Sequence, residues 1–185
     1  KDAGKLAIDK VSEKAAIDDA LAKKIEEIKA NTNLTAEEKA KLTTDANSAA
    51  NDAKDKIQSA TTNDGATQAG KDGKTAIEAV TVPTDSDVKK NANSDLDNTA
   101  TAAKNAIDQT SGLTADQKQT AKDQIDKAAA AAKEKIKNAS DNQGVADAKD
   151  AGKLAIDKVS EKAAIDVALN NKKSEINGAT NIDQT

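Results

Sequence analysis

The sequence predicts an all-α fold of tandem, spectrin-like three-helix bundles, and three observations carry that prediction. Segments of the chain recur at fixed offsets, the mark of a repeat architecture. Within each repeat, apolar residues return every three or four positions. The 185 residues include 39 Ala against 28 larger apolar residues (13 Ile, 8 Leu, 7 Val). Ala is the strongest helix former, and the abundant Lys, Glu and Gln follow closely.

The repeats set the boundaries. Residues 1–21, KDAGKLAIDKVSEKAAIDDAL, return at 149–169 with one change, Asp19 to Val167. LTAEEK at 34–39 answers to LTADQK at 113–118, and Gly4, Gly73 and Gly152 are equivalent, 69 and 79 residues apart. The ten extra residues of the longer spacing fall at TVPTDSDVKK, which holds the only proline, Pro83. Four segments follow. Residues 1–11 end the third helix of a preceding repeat, 12–80 form one three-helix repeat, and 81–159 form a second with a Pro-containing junction. Residues 160–185 begin a following, truncated repeat, where Asn181-Ile182-Asp183 stands in for Asn33-Leu34-Thr35. The chain reads as a slice of a tandem array.

Each helix has its own local reason. The first carries Ile17, Leu21, Ile25 and Ile28 on one face, answered in the next copy by Val88, Ala92, Leu96, Thr99, Ala103 and Ile107. The second opens at Thr35 or Thr114, each followed three residues on by Glu38 or Gln117. That spacing is a capping box, with Leu34 or Leu113 placed to act as a hydrophobic staple. Its apolar face runs Leu42, Ala46, Ala49/Ala50, Ala53, Ile57 and Ala60, or Ala121, Ile125, Ala128, Ala132, Ile136 and Ala139. The third follows the turns Asn63-Asp64-Gly65 and 141–144, carrying Ala69, Gly73, Ala76/Ile77 and Val80, or Ala148, Gly152, Ala155/Ile156 and Val159. Short turns between such helices make neighbours antiparallel. Nothing breaks helix between Gly152 and Ile176 or between 4 and 28, so a third helix is expected to continue into the next first helix. At 81–87 the proline should break the junction. A 26-residue helix is about 39 Å long, and units joined end to end predict an elongated rod on the order of 80 Å or more.

Composition excludes much chemistry. There is no Phe, Tyr, Trp, Met, Cys, His or Arg, and 28 Lys face 32 Asp and Glu for a net charge of -4. Disulfides, thiolate metal sites and His-based catalysis are therefore ruled out. No aromatic platform or basic stripe suits nucleic acid, and no apolar run is long enough to span a membrane. With larger apolar residues this sparse, composition alone points to disorder. High helix propensity and the repeat pattern oppose that reading, and they predict a thin core lined by Ala. A lone unit, with nine larger apolar residues, is expected to be marginal and to draw stability from its neighbours.

The sites that chemistry would use have simpler readings. Gly65–Asp72 is one residue short of a P-loop, has Asp where the magnesium-binding hydroxyl belongs, and follows no strand. It reads as a helix start. Asp85-Ser86-Asp87 and Asp95-Leu96-Asp97 lack the glycine and terminal Glu of a calcium loop and read as caps and solvated faces. Glu26/Glu27 and Glu37/Glu38 are neighbours on helices and point apart. No catalytic, cofactor-binding or metal residue is assigned, and no cofactor. Gly inside a helix costs about 1 kcal/mol relative to Ala, so recurrence at Gly4, Gly73 and Gly152 points to close approach of a neighbouring helix or to a local bend.

The ordered set of a capped LTAEEK or LTADQK, a long Ala/Lys/Asp helix, and then ATTNDG…AGKDGKTAIEAV or ASDNQG…AKDAGKLAIDKV resembles a known repeat family. Its molecular function is unknown, and it occurs in Gram-positive cell-wall-anchored surface proteins similar to the extracellular-matrix-binding protein homologue and related adhesins. The resemblance covers essentially the whole chain. It implies an extracellular, cell-wall-attached, helical stalk with no catalytic residues to transfer. The expected function is a non-enzymatic spacer that projects a distal binding region. The alternative is a helical module for a host matrix or serum protein of the fibronectin or albumin type, although the chain lacks the aromatic and Arg anchors common at interfaces. Expected partners are neighbouring repeats of the same chain, with a monomer as the oligomeric state.

Overall fold

The computed structural model describes residues 2–179 and is all-helical among them. Six helices follow in order: α1 (Asp2–Ala30), α2 (Ala36–Ser59), α3 (Asn63–Glu78), α4 (Asp87–Gln109), α5 (Ala115–Asn138) and α6 (Asn142–Gly178). They form two compact units, Lys1–Ser86 and Asp87–Thr185. In the first unit α1, α2 and α3 all pack on one another, and in the second α4, α5 and α6 do the same. The expected start of a further turn at Asn181-Ile182-Asp183 lies outside the described residues, as does Lys1.

The core of the first unit gathers Ile17, Ala50, Ala53, Ile57 and Ile77, with Leu21 and Ala69 packed against it. That of the second gathers Ala92, Leu96, Ile107, Ile125, Ala132, Ile136, Val145 and Ile156. Large residues thus alternate with Ala, and the small ones let helix axes come close. Two glycines mark the tightest points. A Cβ on Gly73 would overlap the Ala53 Cβ and stand 2.7 Å from Ile17 Cδ1. On Gly152 it would overlap the Ala132 Cβ and stand 2.9 Å from Leu96 Cδ2. Gly4 departs from the expectation, since it faces open space. Gly70, which does not recur in the other copies, is also buried, beneath the Glu13 side chain.

The expected continuity and the expected break are both present. Residues 4–28 lie within the single helix α1, and 152–176 lie within the 37-residue α6. Helix α3 stops at Glu78, and residues 79–86 form the proline-containing linker. The first unit closes at Ser86, six residues beyond the boundary expected at Val80. The linker folds back instead of leaving: Asn31 Nδ2 donates to Pro83 O at 2.7 Å and Asn33 Nδ2 to Thr84 O at 3.0 Å. Pro83 therefore stops the helix and also presents a carbonyl that covers the α1–α2 turn.

The segments Asn63-Asp64-Gly65 and 142–144, expected as turns, are the first turns of α3 and α6, capped by Thr62 and Asp141. The amides of Gly65 and Gly144 donate to Thr62 Oγ1 and Asp141 Oδ1 at 3.0 and 2.7 Å. The polar cap precedes the glycine, so the turn signal was shifted by about one helical turn.

The glycines give a test in three variants. Gly73→Ala and Gly152→Ala should each destabilise the chain by about 1–3 kcal/mol, because the facing atoms belong to an Ala on another helix and cannot rotate away. Gly4→Ala should leave stability unchanged or raise it by up to about 1 kcal/mol, the helix-propensity gain alone. Urea midpoints of the three variants measure this.

Candidate functional site

Among the described residues, what recurs in both units is a set of end contacts that hold helices in register. Thr35 and Thr114 have extended backbones and complete capping boxes. Glu38 Oε2 accepts from the Thr35 amide at 2.9 Å, and Gln117 Oε1 from the Thr114 amide at 2.9 Å. Leu34 is buried and Leu113 packs against the core of its unit. Neither forms the staple expected of it, because the fourth residue of each helix, where the partner should stand, is a lysine. Lys39 and Lys118 turn back and donate to Lys29 O at 3.3 Å and Asp108 O at 2.7 Å, closing the last turn of the preceding helix.

A second lysine contact recurs that sequence reasoning missed. Lys10 Nζ donates to Gln58 O at 2.7 Å, and its equivalent Lys89, itself buried, donates to Lys137 O at 2.9 Å. Each ties a first helix to the C-terminal carbonyls of the second, where the helix dipole favours a cation. The available signal was the recurrence of Lys10, Lys89 and Lys158 at the repeat offsets. An ion pair recurs too, Asp18 with Lys54 and Asp97 with Lys133. These pairs are partly exposed, so they specify register more than they add stability.

The two α–α turns at equivalent places use different chemistry. Between α1 and α2, Asn31 Oδ1 accepts from the amides of Asn33 and Leu34 at 2.8 and 3.1 Å. Between α4 and α5, Gly112 takes φ +86°, a left-handed conformation that favours glycine. Asn170 Nδ2 of α6 then donates to Gly112 O and to Gln117 Oε1, each at 3.0 Å. Val167 lies beside the same turn, 3.1 Å from where a Gly112 Cβ would stand.

Members of two acidic pairs are engaged by lysines: Asp95 lies 3.8 Å from Lys149 and 3.9 Å from Lys153, and Glu27 pairs with Lys24 at 2.8 Å. Among the described residues no three acidic side chains gather as a metal-binding group. The P-loop-like stretch at 65–72 lies wholly inside α3, its backbone committed to helix. Two shallow grooves, of 340 Å³ beside Leu113, Ala121 and Val159 and of 380 Å³ beside Ala20, Lys24 and Lys74, have small apolar walls and polar rims. Among the described residues no helix is long and apolar enough to cross a membrane.

Paired three-helix units with repeated caps, lysine clasps and glycine contacts define a tandem helical repeat protein. Residues 9–85 and 88–162 each match the family described as Domain of Unknown Function (DUF1542), and the chain belongs to that family. The family is a repeat domain of unknown function found in Gram-positive surface proteins. No curated protein and no solved structure matches the chain.

Removing the caps and clasps should be measurable by urea denaturation. Thr35→Ala and Thr114→Ala should each cost about 1 kcal/mol. Lys89→Met should cost about 1.5–3 kcal/mol, the worth of a hydrogen bond from a charged donor. Lys158→Met, at an exposed position, should stay within about 0.5 kcal/mol of the parent chain.

Proposed function

We propose that this chain is a non-enzymatic spacer in the stalk of a Gram-positive, cell-wall-attached surface protein, holding a distal binding region away from the cell. The observation that carries the reading is α6, a single uninterrupted helix of 37 residues. Its first half is the third helix of one unit, and its second half repeats the sequence of a first helix. A helix continued this way adds length at about 1.5 Å per residue without a flexible joint. The recurring elements all serve helix packing and helix ends, which suits a part selected for reach. The charged surface, 28 Lys against 32 acids with no aromatic residue, offers little adhesive area.

The second reading is a helical module that binds a host matrix or serum protein. Among the described residues, the large apolar side chains of Ile8, Val11, Leu154, Ile165, Leu169 and Ile176 are exposed, which favours it. The absence of Trp, Tyr and Arg weighs against it, since those residues dominate binding hot spots.

Small-angle scattering separates a spacer from a compact module. The spacer reading expects a maximum dimension on the order of 80 Å or more, and a globular profile would overturn it. A pull-down with plasma and matrix proteins tests the second reading, which requires saturable, submicromolar capture.

A further inference from the structure

The contacts that build each bundle are the same in both units, so they give a first helix no means of choosing its partners. Ile17 and Leu96 hold equivalent core places, Lys10 and Lys89 make equivalent clasps, and Asp18–Lys54 and Asp97–Lys133 are equivalent ion pairs. Units with interchangeable contacts are prone to misassembly, in which a helix folds against another unit's partners.

At three places between the first and second helices the units differ in charge. Lys14 Nζ donates to Gln58 Oε1 at 2.6 Å; the equivalents are Asn93 and Lys137, so the lysine has changed sides. Lys104 pairs with Asp126 at 2.7 Å, where the first unit has Ile25 and Asn47. Lys122 pairs with Asp108 at 2.8 Å, where the first unit has Thr43 and Lys29. An exchange of size accompanies these on the third helix. In the first unit a Cβ on Gly70 would overlap the Glu13 carboxylate; the equivalents are Lys149 and the buried Ala92.

Crossing the partners shows what the charges do. Laid on α5, α1 would set Lys14 beside Lys137 and Lys29 beside Lys122, and Ile25 would leave Asp126 without its lysine. Laid on α2, α4 would meet Gln58, Asn47 and Thr43, losing its ion pairs but meeting no like charge. The discrimination is therefore one-sided, and α5 exercises it.

We propose that Asn93, Lys104 and Asp108 of α4, with Lys137, Asp126 and Lys122 of α5, are specificity determinants that make α5 refuse α1, whether from the same chain or from a second copy. The ion pairs are partly exposed and add little stability. The selection comes from the like charges that the wrong helix would bring, and it weakens as salt screens them.

Two measurements on the full chain test this. The first gives α4 the character of α1 (Asn93→Lys, Lys104→Ile, Asp108→Lys) and α5 that of α2 (Lys137→Gln, Asp126→Asn, Lys122→Thr). The α4 triple alone should lower the folding equilibrium constant, read by urea, on the order of tenfold. Adding the α5 triple, or about 1 M salt, should restore most of it. Effects of the two triples that simply multiply overturn the proposal. The second measurement reads which helix α5 takes. The chain has no cysteine, so Asp18→Cys with Lys133→Cys reports α1 on α5 as a disulfide formed during oxidative refolding. Its yield should rise on the order of tenfold with the α5 triple or in about 1 M salt. A yield that neither change moves shows that chain connectivity alone selects the partner, and overturns the proposal. Should the α4 triple fail to fold, the disulfide yield still decides, because those chains keep the native α4.

Discussion

The close approach of helices at Gly73 and Gly152 is the contact on which the rest of each unit depends. With Ala53 or Ala132 opposite, and Ile17 or Leu96 beside them, these glycines bring three backbones together around very little side-chain volume. A core built this way needs few large residues: one Ile or Leu from each helix fills a layer, and Ala methyls line the gaps between layers. Short separations also explain the clasps. Lys10 and Lys89 reach across to the carbonyls at the end of a neighbouring helix because that end is near. Wider spacing would leave those carbonyls to water and would separate Asp18 from Lys54.

The two units finish their α–α turns by different means, and the difference follows from what comes after the third helix. In the first unit the helix ends at Glu78, and a proline-containing linker returns to accept hydrogen bonds from Asn31 and Asn33. In the second the helix does not end, and its next turns bring Val167 and Asn170 over Gly112. Both solutions cover the same exposed backbone. The first ends the helix; the second carries it onward. Pro83 and the ten added residues around it are the sequence expression of that choice.

Much of the architecture was legible because its causes are local. Capping boxes at Thr35 and Thr114 are set by residues three positions apart, and the break near Pro83 needs only the proline ring. Apolar spacing located the buried faces of α2 and α5 to within a residue. In the Ala run at 128–132 that spacing is degenerate, and Ala129 is buried where Ala128 was expected. Other features escaped because their causes lie across the fold. The staple reading of Leu34 and Leu113 failed against Lys39 and Lys118, which bond to the preceding helix. Lys89 reads as surface charge in any window of sequence, and only the position of Lys137 O makes it a clasp.

The repeated 21 residues separate the two levels of information. By itself the sequence determined that this stretch is helix, through its Ala and Lys content, its freedom from breakers and its periodic apolar positions. It also determined that the helix carries two apolar stripes, one around Gly152 and Ile156 and one around Ile165 and Ile176. Only the tertiary structure decided which stripe is covered. The same residues bury Ile17 in one place and expose Ile165 in another. Helix formation is settled by hydrogen bonds within the segment, whereas burial depends on which neighbours the chain brings alongside it.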